Sequence, residues 1–439
     1  ALKEVFMSQT VKEVLDFVKD NDVKFVKLTF CDSFGNIKNI SIIADELPTA
    51  FEKGVSFEAY SVGGFVDPEE SDLLLYPDAS TIQLLPWRPQ HGSVVRFFCK
   101  IRHTDGRDFD GDGRGLLASA QNKLSHMGLS CLIGSDCEFY LFKLNEDGTP
   151  TLEPHDMAGY LDVAPFDKGE NVRRDICLTL ERMGIKPISS HHERGPGQNE
   201  ICFKVNDALM AADDLLTFKT VVKAVANMNG LHASFMPKPL KDEIGSGLHI
   251  NLSLLKDGDN LFEPSRLSGS KEAESFVAGI LARAKEMALF LNPTVNSYER
   301  LENNEDIEAY NQIAWSYLNG RQLIRIKKDG LAKMQLRSAD PSCNPYIAYA
   351  LLLFAGAEGI ERGLRLPKEL DVNNAGEVER LPEDLMSAIE LAKNSDFIAR
   401  YIPRKTLNKF FEYKENIYRN YSLSKDKDAF MTKAYFNKI

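Results

Sequence analysis

Four short segments of the chain alternate with period two. Each sets charged or metal-capable groups on one face against apolar groups on the other, as expected of strands with one face on a core. In Cys131 to Phe142, Asp136, Glu138 and Tyr140 oppose Cys137, Phe139 and Leu141. In Glu200 to Val205, Glu200, Cys202 and Lys204 oppose Ile201, Phe203 and Val205. His249, Asn251 and Ser253 oppose Leu248, Ile250, Leu252 and Leu254, and Lys333, Gln335 and Arg337 oppose Met334 and Leu336. One such segment alone reads as an ordinary amphipathic strand with its polar face in water. Four of them, with His191-His192-Glu193 just before the second, point to strands side by side in one curved sheet. Their polar faces would then share a surface carrying Asp136, Glu138, Glu200 and His249, with Arg337 nearby. Carboxylates suit hard Mg²⁺ or Mn²⁺, one imidazole shifts the preference toward Mn²⁺, and arginines suit anionic substrate groups.

The rest of the chain frames that surface. Thr10 and Glu13 form a capping box before Val11, Val14, Leu15 and Val18, so a helix opens the chain. Two alternating runs joined by Asp32-Ser33-Phe34-Gly35-Asn36 follow as a hairpin, then further short strands up to the polar stretch Thr104 to Arg114. A domain boundary is expected there, giving domains 1–107 and 108–439. Beyond it, helices over 115–127, 207–228, 271–291 and 345–363 mix with short strands in no regular βαβ order, which predicts an α+β fold.

Composition narrows the function. The 439 residues carry 64 acidic against 53 basic side chains, a net charge of −11 that argues against nucleic acid or an anionic membrane as partner. No run reaches the ~18 apolar residues of a membrane span, and no signal-peptide core is visible. The seven cysteines are odd in number, scattered and without a CxxC pair, which predicts reduced thiols and a cytoplasmic location.

Several blocks resemble the glutamine synthetase family along nearly the whole chain. They are Glu70-Ser71-Asp72 to Tyr76-Pro77-Asp78, Ser190-His191-His192-Glu193 through Gly197-Gln198-Asn199-Glu200, and Phe235-Met236-Pro237-Lys238-Pro239 with Gly245-Ser246-Gly247-Leu248-His249. Asn292-Pro293-Thr294 to Tyr298 and Asp340-Pro341 to Asn344-Pro345 complete them. The Ser-His-His-Glu and Gly-Ser-Gly-Leu-His blocks point away from a guanidino-kinase-type phosphotransferase, and no family-like adenylylation loop stands out between 365 and 400. The resemblance implies a small N-terminal β-grasp-like domain and a larger catalytic domain with a curved antiparallel sheet. It also implies two stacked hexameric rings with active sites between neighbouring subunits. The implied reaction is ATP-dependent: the γ-carboxylate of glutamate is phosphorylated, and ammonia displaces phosphate from the acyl phosphate, with Mg²⁺ or Mn²⁺ as cofactor.

Residue by residue, the resemblance assigns Glu138, Glu193 and Glu200 to a first metal and Asp136, His249 and Gln335 to a second. Arg300 and Gly245 fall on the amino-acid substrate together with His249 and Arg337, and Arg337 also on the transferring phosphate. Phe203, Asn251, Ser253, Arg325 and Lys333 fall on the nucleotide, and Glu58, Glu308 and Arg321 join Arg337 as catalytic residues. The departures are as informative. Gln335 and Asp136 stand where the family has glutamates, which predicts a weaker second metal and slower phosphoryl transfer. Lys333 replaces an arginine, Asn251 a histidine, and Arg321 lies one residue past an arginine position now held by Gly320. Glu58-Ala59-Tyr60-Ser61 replaces an Asp-Gly-Ser-Ser ammonium motif, and Ile244 replaces an asparagine before Gly245. The flap from Glu302 to Ala309 is two residues longer than the family's. Three outcomes follow: a glutamate–ammonia ligase, a related ligase for another amine or acid, or a catalytically impaired homologue with a structural or regulatory role.

Overall fold

The computed structural model describes residues 10–70, 72–87, 92–263, 270–302, 310–318, 322–327, 333–370 and 378–439. Helix α1 (Val11–Asp20) starts at the expected box: the Glu13 amide donates to Thr10 Oγ1 and the Thr10 amide to the Glu13 carboxylate. Its buried face, Val14 and Val18, belongs to a core with Val26, Leu28 and Phe30 of β1 (Val23–Cys31). With β2 (Ile37–Ile43), β3 (Val55–Glu58), β4 (Asp72–Pro77) and β5 (Ser93–His103), β1 forms a sheet in the order β2-β1-β5-β4-β3. The β1–β5 pair is parallel and its neighbours are antiparallel, so the first and last strands of this unit lie side by side at its centre.

Helix α2 (Gly113–His126) then leads to β6 (Leu129–Leu144), the longest strand of a second sheet. Around it come α3 (Glu170–Arg182), β7 (Pro187–His192), β8 (Gln198–Phe203), α4 (Ala208–Met228) and β9 (Leu248–Lys256). Next follow α5 (Lys271–Leu291), α6 (Val295–Glu302), β10 (Gln312–Ser316), β11 (Gln322–Lys327), β12 (Lys333–Leu336) and α7 (Pro345–Glu361). The strand order is β10-β11-β12-β9-β6-β8-β7. The four alternating segments are thus consecutive neighbours, β12-β9-β6-β8, as their shared polar face predicted. The expected antiparallel sheet needs one correction: at its edge β10 and β11 run parallel.

The apolar face explains why this sheet holds its shape. Cys137, Phe139 and Leu141 of β6 and Ile201 and Phe203 of β8 are buried among Phe218 of α4 and Phe235. Helices α5 and α7 touch through Gly279 and Gly359, where a Cβ on either would fall 2.1 Å from a backbone carbonyl of the other helix. The sheet is therefore a rigid floor, and the polar side chains of its other face inherit that rigidity. The cysteines are free, five of them buried. Among the described residues no helix is long and apolar enough to cross a membrane.

Candidate active site

Strand register determines which polar side chains meet. Across the sheet, Glu138 of β6 pairs with Glu200 of β8, which pairs with His191 of β7. One step along, His249 of β9 lies opposite Asp136 and Asp136 opposite Cys202. A further step aligns Arg325 of β11, Gln335 of β12, Asn251 of β9 and Gly134. Three rows of functional groups thus stand on one face, about 5 Å from strand to strand.

Side chains of the first two rows could hold a cation. Oxygens of Glu138 and Glu200 and a ring nitrogen of His249 lie within 4.8 Å of one another, and so do ligand atoms of His191, Glu193 and Glu200. His249 Nε2 is buried without a hydrogen-bond partner. Burial first, then the charges of Arg337 and Arg300, hold its pKa well below the ordinary value, so the ring is neutral. A neutral, unpartnered imidazole facing two carboxylates is ready to ligate a metal. Burial and then the charges of Asp136 and Glu193 raise the Glu200 pKa, a penalty on the ionised form that a bound cation would offset. Glu138 is held by the Gln198 amide at 3.1 Å and the Gly247 backbone N–H at 2.8 Å, and Glu193 by His191 at 2.8 Å. These residues fit a divalent ion.

The place between Asp136 of the second row and the amides of the third does not fit one. Asp136 Oδ2 accepts from Asn251 Nδ2 at 3.0 Å and from Gln335 Nε2 at 3.2 Å, and Gln335 Oε1 accepts from Arg337 at 2.7 Å. Flipping the Gln335 amide would turn its NH₂ against the guanidinium, donor against donor, so Arg337 sets which end faces Asp136. A cation approaching Asp136 from the Gln335 side would meet N–H groups rather than oxygens. Within the sheet His249 stands near Glu138 and Glu200, while Asp136 and Gln335 are tied to each other.

Beside the cation site lies a place for an anion. Arg300 of α6 is buried and donates to the carbonyls of Ser338 and Ala339, leaving its Nε unpartnered. Gly245 lets it approach, since a Cβ there would sit 2.5 Å from Arg300 Cγ. At Gly247 a Cβ would stand 3.6 Å from Arg300 Nη1, Glu138 Oε1 and His249 Nε2 alike, which locates the floor of the site. Ser253 is buried on β9 beyond Asn251, and Lys333 and Arg325 are half-buried on β12 and β11. Phe203 differs from its assignment: its side chain is in the core against Phe218, leaving only its main chain for a nucleotide. Glu58 ends β3 in the other sheet, exposed, paired across to Asp72. Glu308 and Arg321 lie outside the described residues.

His191, Gln198 and Gly247 are brought to the site although none was assigned a role from sequence. His191 stands two residues before Glu193, within the alternation itself, which was the available signal. Its companion His192 points the other way into a buried pair with Asp156 at 2.8 Å. Asp156 also accepts from the Gly197 and Lys168 amides, so it ties the loop between Glu193 and Glu200 in place.

Comparison with known proteins agrees with this architecture. The family model described as glutamine synthetase, catalytic domain, matches residues 110–432, and that described as glutamine synthetase, beta-Grasp domain, matches residues 22–104. The glutamine synthetase of Clostridium saccharobutylicum is 41% identical, over 97% of this chain and 97% of its own length. That of Methanosarcina mazei is 42% identical over 92% and 93%. A solved GmaS/ADP complex superposes with a TM-score of 0.86 at 28% identity, covering 94% of this chain and 97% of the other. A cryoEM structure of Plasmodium falciparum glutamine synthetase shares the fold, with a TM-score of 0.84 at 22% identity over 94% and 97%. Fold and site together define an ATP-dependent carbon–nitrogen ligase of a kind that uses divalent metal ions. The chain belongs to the glutamine synthetase family.

Proposed function

We propose that this ligase joins the γ-carboxyl of glutamate to ammonia through an acyl phosphate. The observation that carries the reading is the meeting of Glu138, Glu200, His249 and Arg300 around Gly247, a cation cluster sharing its floor with an arginine fit for a carboxylate. Mg²⁺ or Mn²⁺ held there by Glu138, Glu200 and His249, with Glu193 alongside, would neutralise charge on the transferring phosphoryl group. Arg300 would orient the amino-acid carboxylate, and Arg325, Lys333 and Arg337 would hold the phosphates of ATP. Asn251 and Ser253 would line the nucleotide side. The γ-carboxylate oxygen bonds to the γ-phosphorus as ADP leaves. The ammonia nitrogen then bonds to the acyl carbon, phosphate leaves, and the nitrogen's extra proton passes to a carboxylate acting as base.

Glu58 and Glu308 are the carboxylates proposed to accept that proton. Exposed Glu58 fits a role in a neighbouring subunit's site, which accords with assembly into stacked hexameric rings. Seven unpaired cysteines suit a reducing cytoplasm. Tyr60, 48% exposed beside Glu58, favours a second reading in which a larger amine replaces ammonia. ADP release measured with glutamate and a panel of amines tests both. Release requiring glutamate and ammonia together is expected. Release only with another amine transfers the assignment to the second reading, and none with any amine defeats both.

A further inference from the structure

One cation of strands β11 and β12, Lys327, has no role beside Arg325, Lys333 and Arg337. Lys327 lies directly opposite Lys333 across the strand pair, and Arg325 lies opposite Gln335, with Arg337 two residues further. Like charges directly opposite on a sheet cost stability. Among the described residues neither Lys327, Lys333 nor Arg325 has an ion-pair partner, and Arg325 Nε is buried without a hydrogen bond. Burial first, and then Lys333, lower the pKa of Lys327, while Asp136 pulls the other way and Arg325 and Arg337 lower it further. Among the described residues, Asp136 is the acid that acts on Lys327, and the four cations on these two adjacent strands form a surface suited to a polyanion.

The position of Lys327 gives this charge a specific meaning. The third-row amides of Gln335 and Asn251, tied to Asp136 of the second row, do not fit a second divalent ion. The carboxylate that would recruit one is an amide at Gln335, and an ammonium stands on the neighbouring strand within the field of Asp136. We propose that Lys327, together with Lys333, carries the positive charge at the β- and γ-phosphates of ATP that a second cation would otherwise carry, so that each site works with one divalent ion. This rests on the ATP reading above. It makes Lys327 a contact to substrate phosphates and Gln335 the residue that keeps the place free of metal.

Calorimetric titration of the full-length protein with Mn²⁺ and the non-hydrolysable triphosphate AMP-PNP tests it. The wild type is expected to bind one Mn²⁺ per chain in the presence of AMP-PNP. Lys327→Met is expected to weaken AMP-PNP about tenfold or more and AMP less than about twofold, with Lys327→Arg within about threefold of wild type. Adding Gln335→Glu to Lys327→Met is expected to restore AMP-PNP binding together with a second Mn²⁺. Because a repelling pair is relieved, Lys327→Met should also raise the melting temperature of the ligand-free protein. Two Mn²⁺ per wild-type chain, AMP-PNP binding by Lys327→Met within twofold of wild type, or a parallel loss for AMP with a lowered melting temperature would each overturn the role of Lys327 while leaving the ATP reading intact. No AMP-PNP binding by the wild type would overturn both.

Discussion

Replacing Glu200 by glutamine is expected to lower ligase turnover by about three orders of magnitude, because the cation it helps hold contributes several kcal/mol of charge stabilisation to phosphoryl transfer. Glu200 is the residue common to both clusters, with Glu138 and His249 on one side and His191 and Glu193 on the other. Glutamine keeps its length and one carbonyl oxygen, so the strand and its register with Glu138 survive. What is lost is one negative charge from a group of carboxylates that repel one another without a cation. The metal-free variant should therefore melt at a higher temperature than wild type, while the rise in melting temperature on adding Mn²⁺ disappears. Turnover within tenfold of wild type, with Mn²⁺ stabilisation retained, would show that Glu200 does not hold the ion.

Much of this arrangement was legible in the sequence because strands repeat every two residues. A stripe such as Asp136, Glu138 and Tyr140 against Cys137, Phe139 and Leu141 has one solution: polar groups together, apolar groups on the helices. Helix-start signals likewise exposed the capping box at Thr10, and the helices expected over 207–228 and 345–363 are capped by Asp207 and Asn344, whose side chains accept from the first turn of α4 and α7. Periodicity could not supply the partner of each polar group. His249 and Asp136 are opposite in register, yet the imidazole goes with Glu138 and Glu200 because two amides occupy Asp136. The orientation of Gln335 depends on a guanidinium two residues away and on a strand from elsewhere in the chain. Lys327 escaped notice because its strand breaks the alternation: Leu323, on the same face as Arg325 and Lys327, is buried. Glu58 marks a different limit, since one chain alone does not bring it to this cluster.

Arg114 has the largest expected effect on stability. It opens α2 with its guanidinium buried: Nε and Nη2 donate to Asp213 of α4, and Nη1 donates to Asp78 at 3.0 Å, just after β4. The Tyr346 hydroxyl of α7 donates to the same Asp213 at 2.5 Å. One side chain thereby joins the N-terminal sheet to two helices beneath the active-site floor. Truncating Arg114 to methionine leaves Asp213 charged, buried and bound only by a phenol, and removing one partner of such a pair costs about 3–5 kcal/mol. Urea unfolding followed by circular dichroism should show that loss. Lysine should recover only part of it, because a point ammonium cannot bridge Asp213 and Asp78 at once. The loss should shrink when Asp213→Asn accompanies Arg114→Met, since the stranded charge is then gone. Should the single variant lose less than about 1 kcal/mol, the surface-pair range, the network would be solvated and its place between the two sheets would carry little of the fold.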